Sequence, residues 1–128
     1  IEHIRNIYSI FFGHREIERF THAEDRIEDL LHELIQAHEF VECLVGRDGE
    51  FDQIVSSAVK RLQADWGDSR CALTLVLPYM RAEYSNNMDY FEEYYDSIEV
   101  CEESATAHPK GAIQIRNRNM VDRSDLVV

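Results

Sequence analysis

Positive charge is scarce in this chain: 13 Lys and Arg stand against 25 Asp and Glu in 128 residues, a formal net charge of −12. Non-specific affinity for nucleic acid comes from cations that neutralise phosphates, so this balance excludes a general nucleic-acid binder. Any anionic ligand needs a local positive site within an acidic surface. Long apolar runs are absent as well, and so is a signal-peptide pattern, which leaves a soluble, cytoplasmic protein with no membrane partner as the expectation. Cysteine is limited to Cys43, Cys71 and Cys101 with no CxxC spacing, and an odd, scattered set beside apolar runs reads as reduced core thiols. The six histidines lack ligand spacing, so neither a metal nor another cofactor is expected. His32 and Glu28, one turn apart, read as part of a solvated helix face. No internal repeat or low-complexity tract interrupts the chain.

What remains is globular: 45% hydrophobic and 30% charged residues in a length suited to one domain. A chain of this size buries roughly two thirds of its unfolded surface in a single core. The first apolar run, residues 7–12, stops at Gly13-His14-Arg15. A buried strand that ends in a glycine turn, with a helical pattern over 21–40, resembles the first strand, loop and helix of a Rossmann-like nucleotide site. Arg15 offers a planar fork of donors for an oxyanion, His14 donates or accepts near neutral pH, and Gly13 lets a ligand approach the backbone.

Thr21-His22-Ala23-Glu24 has the form of a capping box, and Ile27, Leu30, Leu31, Leu34 and Ile35 then form one apolar stripe. Residues 40–45 read as a second strand ending in Gly46-Arg47-Asp48-Gly49-Glu50-Phe51-Asp52. Ile54, Val55, Ala58 and Leu62 mark the next helix, with Asp52 expected as its N-cap. Glu50 and Asp52 could be read as a catalytic carboxylate pair, but capping by Asp52 and a ribose-hydroxyl contact from Glu50 are favoured. Residues 72–77, nearly all apolar, predict a third strand buried on both faces and ended by Pro78. The aromatics Tyr90, Phe91, Tyr94 and Tyr95 fall in a helix-compatible stretch, 87–95, and read as core packing under a loop, with a base-stacking platform as the alternative.

Residues 98–101 predict a short edge strand, 102–110 a loop, 112–124 a last helix and 125–128 a last strand. Asn117 falls on the stripe of Ile113 and Met120 that should face the sheet, so its amide needs either a loop backbone or a ligand as partner. Arg116 lies one residue round the helix, as a solvated side chain or as added charge for a ligand. Right-handed crossovers place the first strand beside the second and the last, with the third outside the second.

Three segments then coincide: Phe11-Phe12-Gly13-His14-Arg15, the Gly46 to Asp52 turn, and Arg116-Asn117-Arg118-Asn119-Met120 leading to Ser124-Asp125. Together they resemble the YpsA-like branch of the SLOG superfamily, Rossmann-like relatives of DprA and the LOG phosphoribohydrolases. The resemblance implies an α/β fold, a mostly parallel sheet flanked by helices in one domain over residues 1–128. It also implies a nucleotide-derived ligand at the C-terminal ends of the strands. Gly13, His14 and Arg15 would hold phosphate, Gly46 and Gly49 would admit the ligand to the backbone, and Glu50, Arg116 and Asn117 would complete the site.

In the LOG relatives an RK-x-x-M motif precedes a glycine-rich loop that carries a catalytic glutamate. Here Asn117 replaces the Lys and the chain ends at Val128 before that loop, so the domain reads as truncated by its last loop, helix and strand. The implied function is a sensor or regulatory domain for an ADP-ribose-like small molecule. The alternatives are a nucleoside monophosphate N-glycosidase, which the missing loop counts against, and a protein-interaction module with a vestigial pocket. Because soluble proteins rarely leave a strand edge bare, either residues beyond Val128 or a second subunit of a homo-oligomer is expected to cover the last strand.

Overall fold

The computed structural model describes residues 6–10, 20–47, 49–67, 69–80 and 82–127. Strands and helices alternate along them. β1 (Asn6–Ile10), α1 (Phe20–Ala37), β2 (Phe40–Val45), α2 (Glu50–Trp66) and β3 (Cys71–Leu77) form the first half. α3 (Ala82–Asn86), α4 (Met88–Tyr94), β4 (Ser97–Val100), α5 (Glu102–Ala105), α6 (Pro109–Asp122) and β5 (Leu126–Val127) form the second.

Among the described residues the sheet has five strands in the order β4-β3-β2-β1-β5, and every neighbouring pair is parallel. This is the Rossmann-like α/β arrangement expected from the alternation of apolar runs and helical stripes. Travel from β1 through β4 always moves outward in one direction, so right-handed crossovers put α1, α2 and α4 on a single face. The return from β4 to β5 reverses direction and puts α5 and α6 on the other.

Burial follows that layout. Val41, Cys43 and Val45 of β2 and Leu73, Leu75 and Leu77 of β3 point to the first face and form one cluster with Leu31 and Ile35 of α1, Val55 and Val59 of α2, and Phe91. The intervening Leu44 and Val76 point the other way and pack with Cys101 and Met120. Strands buried on both faces are why β2 and β3 read as nearly continuous apolar runs. All three cysteines are buried and free, two in the larger cluster and one in the smaller.

Several local expectations are corrected. Thr21 lies inside α1, which already begins at Phe20, and so is not its cap. The helical pattern read over 21–40 overruns, since α1 stops at Ala37, and Phe40 opens β2 with the bounds read for that strand, 40–45. The N-cap of α2 is Gly49, not Asp52; Glu50 and Asp52 occupy the first turn, where negative charge meets the positive end of the helix dipole. The solvated face read for Glu28 and His32 is partly exposed as expected, and on it Glu28 pairs with Arg61 of α2 and His32 packs against the Trp66 ring at 6.1 Å.

The 102–110 stretch is not a loop. It holds α5 and the start of α6, where Pro109 occupies the first turn and His108 Nδ1 accepts from the Lys110 amide at 3.2 Å. The buried stripe of α6 is also rotated by one residue from the expected one. Ala112, Arg116 and Met120 are buried, four residues apart, whereas Ile113 is exposed and Asn117 only partly covered.

Candidate functional site

The site grows out of the way β2 ends. At the start of the β2–β3 ladder the Val41 amide donates to the Arg70 carbonyl at 3.0 Å, and two-residue steps continued along both strands would bring the Arg47 amide opposite the Val76 carbonyl, one step past the last pair, Val45 and Leu75. The chain turns out of the sheet at Gly46, and the Arg116 guanidinium takes that place from the other face. Its Nη1 donates to the Val76 carbonyl at 2.7 Å and its Nε to Asn117 Oδ1 at 2.8 Å. Val76 is fully buried, so this contact satisfies a carbonyl that water does not reach.

Gly46 is where these parts meet. A β-carbon placed on it would stand 3.1 and 3.3 Å from Nη1 and Nη2 of Arg116 and 3.2 Å from Oδ2 of Asp52. A side chain here would require Arg116 or Asp52 to yield by a few tenths of an ångström, and one spot gathers the end of β2, the first turn of α2 and the middle of α6.

Beyond Gly46 lies a cleft of about 400 Å³, at the C-terminal end of β2, walled by α2 on one side and the α3–α4 segment on the other. Open parallel sheets place ligands beyond such strand ends, and small-molecule sites span roughly 300–1,000 Å³. From α2 the cleft receives Asp52, Gln53, Ser56 and Ser57; Tyr90, Tyr94 and Tyr95 face them across it. α4 is held against α2 by Lys60, whose Nζ donates to the Tyr94 carbonyl at 2.8 Å and lies 5.1 Å from the Tyr94 ring centroid.

Among the described residues Arg47 is the cation that lines the cleft. Its guanidinium lies over the Phe91 ring at 4.4 Å, Nη1 donates to the Tyr95 hydroxyl at 3.2 Å, and Nε donates to Glu83 Oε1 at 3.1 Å. Partial burial works against its charge, but the hydrogen bonds and charges of Tyr95 and Glu83 prevail and raise its pKa. Burial pushes the Tyr95 phenol above its ordinary range, against the pull of the Arg47 hydrogen bond. Tyr94 is raised in the same way by burial, opposed by a hydrogen bond with Ser57.

The aromatic cluster divides between the two roles considered for it. Phe91 and Tyr95 are core residues, at 2% and 4% exposure. Tyr90 is 55% exposed and stacks on Tyr94 with rings 10° from parallel and centroids 6.3 Å apart, presenting a flat face in the cleft wall.

Gly13, His14 and Arg15 lie outside the described residues. Of the other expected site residues, Gly46 lines the cleft. Gly49 caps α2, and Glu50 is exposed at its first position. Arg116 and Asn117 are brought to the end of β2 but meet each other and the main chain, below the cleft floor at Gly46. The residues that sequence reasoning missed are Arg47, Glu83 and the α2 hydroxyls. Arg47 carried a signal in following Gly46 directly at a strand end; Glu83 carried none.

Among the described residues no three His, Cys, Asp or Glu gather as a metal-binding group, and no helix is long and apolar enough to cross a membrane. Fold and cleft together give a Rossmann-like α/β arrangement with an open cleft at the end of β2. No protein-family model matches the chain, and no curated protein matches it.

Proposed function

We propose that this chain is a binding domain for a nucleotide-derived small molecule of the ADP-ribose class, acting as a sensor or regulatory module. The observation that carries this reading is that the Arg47 guanidinium and the stacked rings of Tyr90 and Tyr94 line one cleft at the end of a parallel strand. A nucleotide needs both partners: a flat base gains roughly 1–3 kcal/mol by stacking on an aromatic face, and a phosphate is matched by an arginine fork. Asp52, Ser56 and Ser57 supply acceptors and donors of the kind ribose hydroxyls use. The resemblance of the glycine turns and the Arg116 to Met120 motif to the YpsA-like branch points to the same ligand class. Binding is favoured over N-glycoside cleavage because both cleft carboxylates stand against arginines, Asp52 near Arg116 and Glu83 on Arg47, in place of an open acid or base.

Thermal unfolding and calorimetry with ADP-ribose, AMP and adenosine test the reading. A ligand that binds only the folded state raises the apparent melting temperature. ADP-ribose or AMP is expected to do so, and Arg47→Ala to weaken it by about tenfold or more, the scale of a lost charge-assisted hydrogen bond. Absence of any shift with all three compounds refutes it.

A further inference from the structure

Arg47 is held in place by two neutral groups and closed by one charged one. Phe91 supports the guanidinium face at 4.4 Å and the Tyr95 hydroxyl takes Nη1, and both residues are buried parts of the core. Glu83 is different. Its side chain is half exposed on α3, a five-residue helix with no buried residue, and it meets Arg47 at a single point, Nε at 3.1 Å. Nε and Nη2 form the side-on edge of a guanidinium, which an oxyanion can take with two parallel hydrogen bonds. Among the described residues Glu83 uses only the Nε half of that edge. The pair is also a partition: Arg47, Glu83 and Tyr90 line both the main cleft and a neighbouring hollow of about 330 Å³ that reaches Asn87.

From this geometry we infer that Glu83 is an internal stand-in for the anion of the ligand, a gate that an incoming phosphate displaces from Arg47. The inference rests on the nucleotide-binding reading and adds how that site is closed. An exposed ion pair is weak because both groups keep much of their hydration, whereas a phosphate can engage Nε and Nη2 together. Displacement leaves the guanidinium where it is, since Phe91 and Tyr95 hold it, and swings the Glu83 side chain aside so that the two hollows join, while Tyr84 keeps α3 packed on the Phe91 ring at 5.6 Å. Occupancy by a ligand thus becomes a change in the position of the Glu83 carboxylate on the surface of α3, the kind of local shift a sensor reports.

Calorimetric titration of the parent, Glu83→Gln and the double variant Glu83→Gln/Arg47→Ala with AMP, adenosine and inorganic pyrophosphate tests the gate. Glu83→Gln keeps the size of the side chain and removes its charge. It is expected to tighten AMP and pyrophosphate binding by about two- to tenfold, to leave adenosine affinity unchanged, and to lose its gain in the double variant. Binding of AMP with equal affinity to the parent and Glu83→Gln overturns the gate while leaving the nucleotide reading intact. Pyrophosphate binding with the expected order of affinities supports the gate, and it overturns the nucleotide reading where ADP-ribose, AMP and adenosine all fail to bind. No binding of any probe to any of the three proteins overturns both.

Discussion

Replacing Arg116 by Met tests whether this arginine belongs to the architecture or to the ligand. Arg116 is 4% exposed and its Nη1 satisfies the carbonyl of Val76, itself fully buried. Met has a similar reach and no donor. An orphaned buried carbonyl costs about 1–3 kcal/mol, and leaving the half-buried Asp52 carboxylate without its neighbouring cation adds about 1 kcal/mol. Relief of the guanidinium's own desolvation offsets part of this, because a buried charge is expensive to hold even when paired. A net loss of about 2–3 kcal/mol is expected, which for a chain of this length lowers the melting temperature by roughly 6–12 °C. Arg116→Lys keeps the charge but reaches one acceptor at a time, so it should fall between parent and Arg116→Met. Urea unfolding read by circular dichroism gives the free energies directly. If Arg116→Met lies within about 0.5 kcal/mol of the parent, the end of β2 does not depend on this contact and the assignment is wrong.

Two further outcomes follow from the geometry. Gly67, the C-cap of α2, has φ +84° and ψ 165°, a region that is essentially glycine-only, so Gly67→Ala should cost about 1–3 kcal/mol by denaturant unfolding although its β-carbon would touch none of the described residues. Stability should fall on the alkaline side, because burial raises the Cys43 thiol, aided by the nearby Cys71 and Glu42, and also raises the Tyr95 phenol. The folded state keeps protons that the unfolded chain releases from about pH 8.5 for cysteine and about pH 10 for tyrosine, so the loss begins there and grows as pH rises. Unfolding free energies from pH 7 to 11 check this, and Cys43→Ala should flatten the first part of the decline.

Most of the framework was legible in the chain because it depends on local patterns. Apolar runs bounded by Gly46 and Pro78 mark β2 and β3, and the stripe of Ile27, Leu31, Leu34 and Ile35 marks α1. Crossover handedness then orders the strands with β1 between β2 and β5, as observed. Helix ends were less legible. Gly49 in place of Asp52 as the cap of α2, and Pro109 as the opening of α6, differ from the expectation by a few residues because several nearby side chains compete to end or begin a turn.

The site itself was decided by tertiary structure. α6 has no strong apolar face, so its rotation is set by what it meets: the free carbonyl of Val76, 40 residues away in sequence, and the space left by Gly46. That turns Arg116 inward and Ile113 outward, against the local pattern. Arg47 gains its role in the same way. A strand-end arginine is ordinary until Phe91, Tyr95 and Glu83, all more than 30 residues further on, supply its support and its closing partner. Periodicity records which face of an element is apolar and so determines the layers. The partners of a buried charge depend on which strand ends and helix turns meet in space, and only the folded chain brings those together.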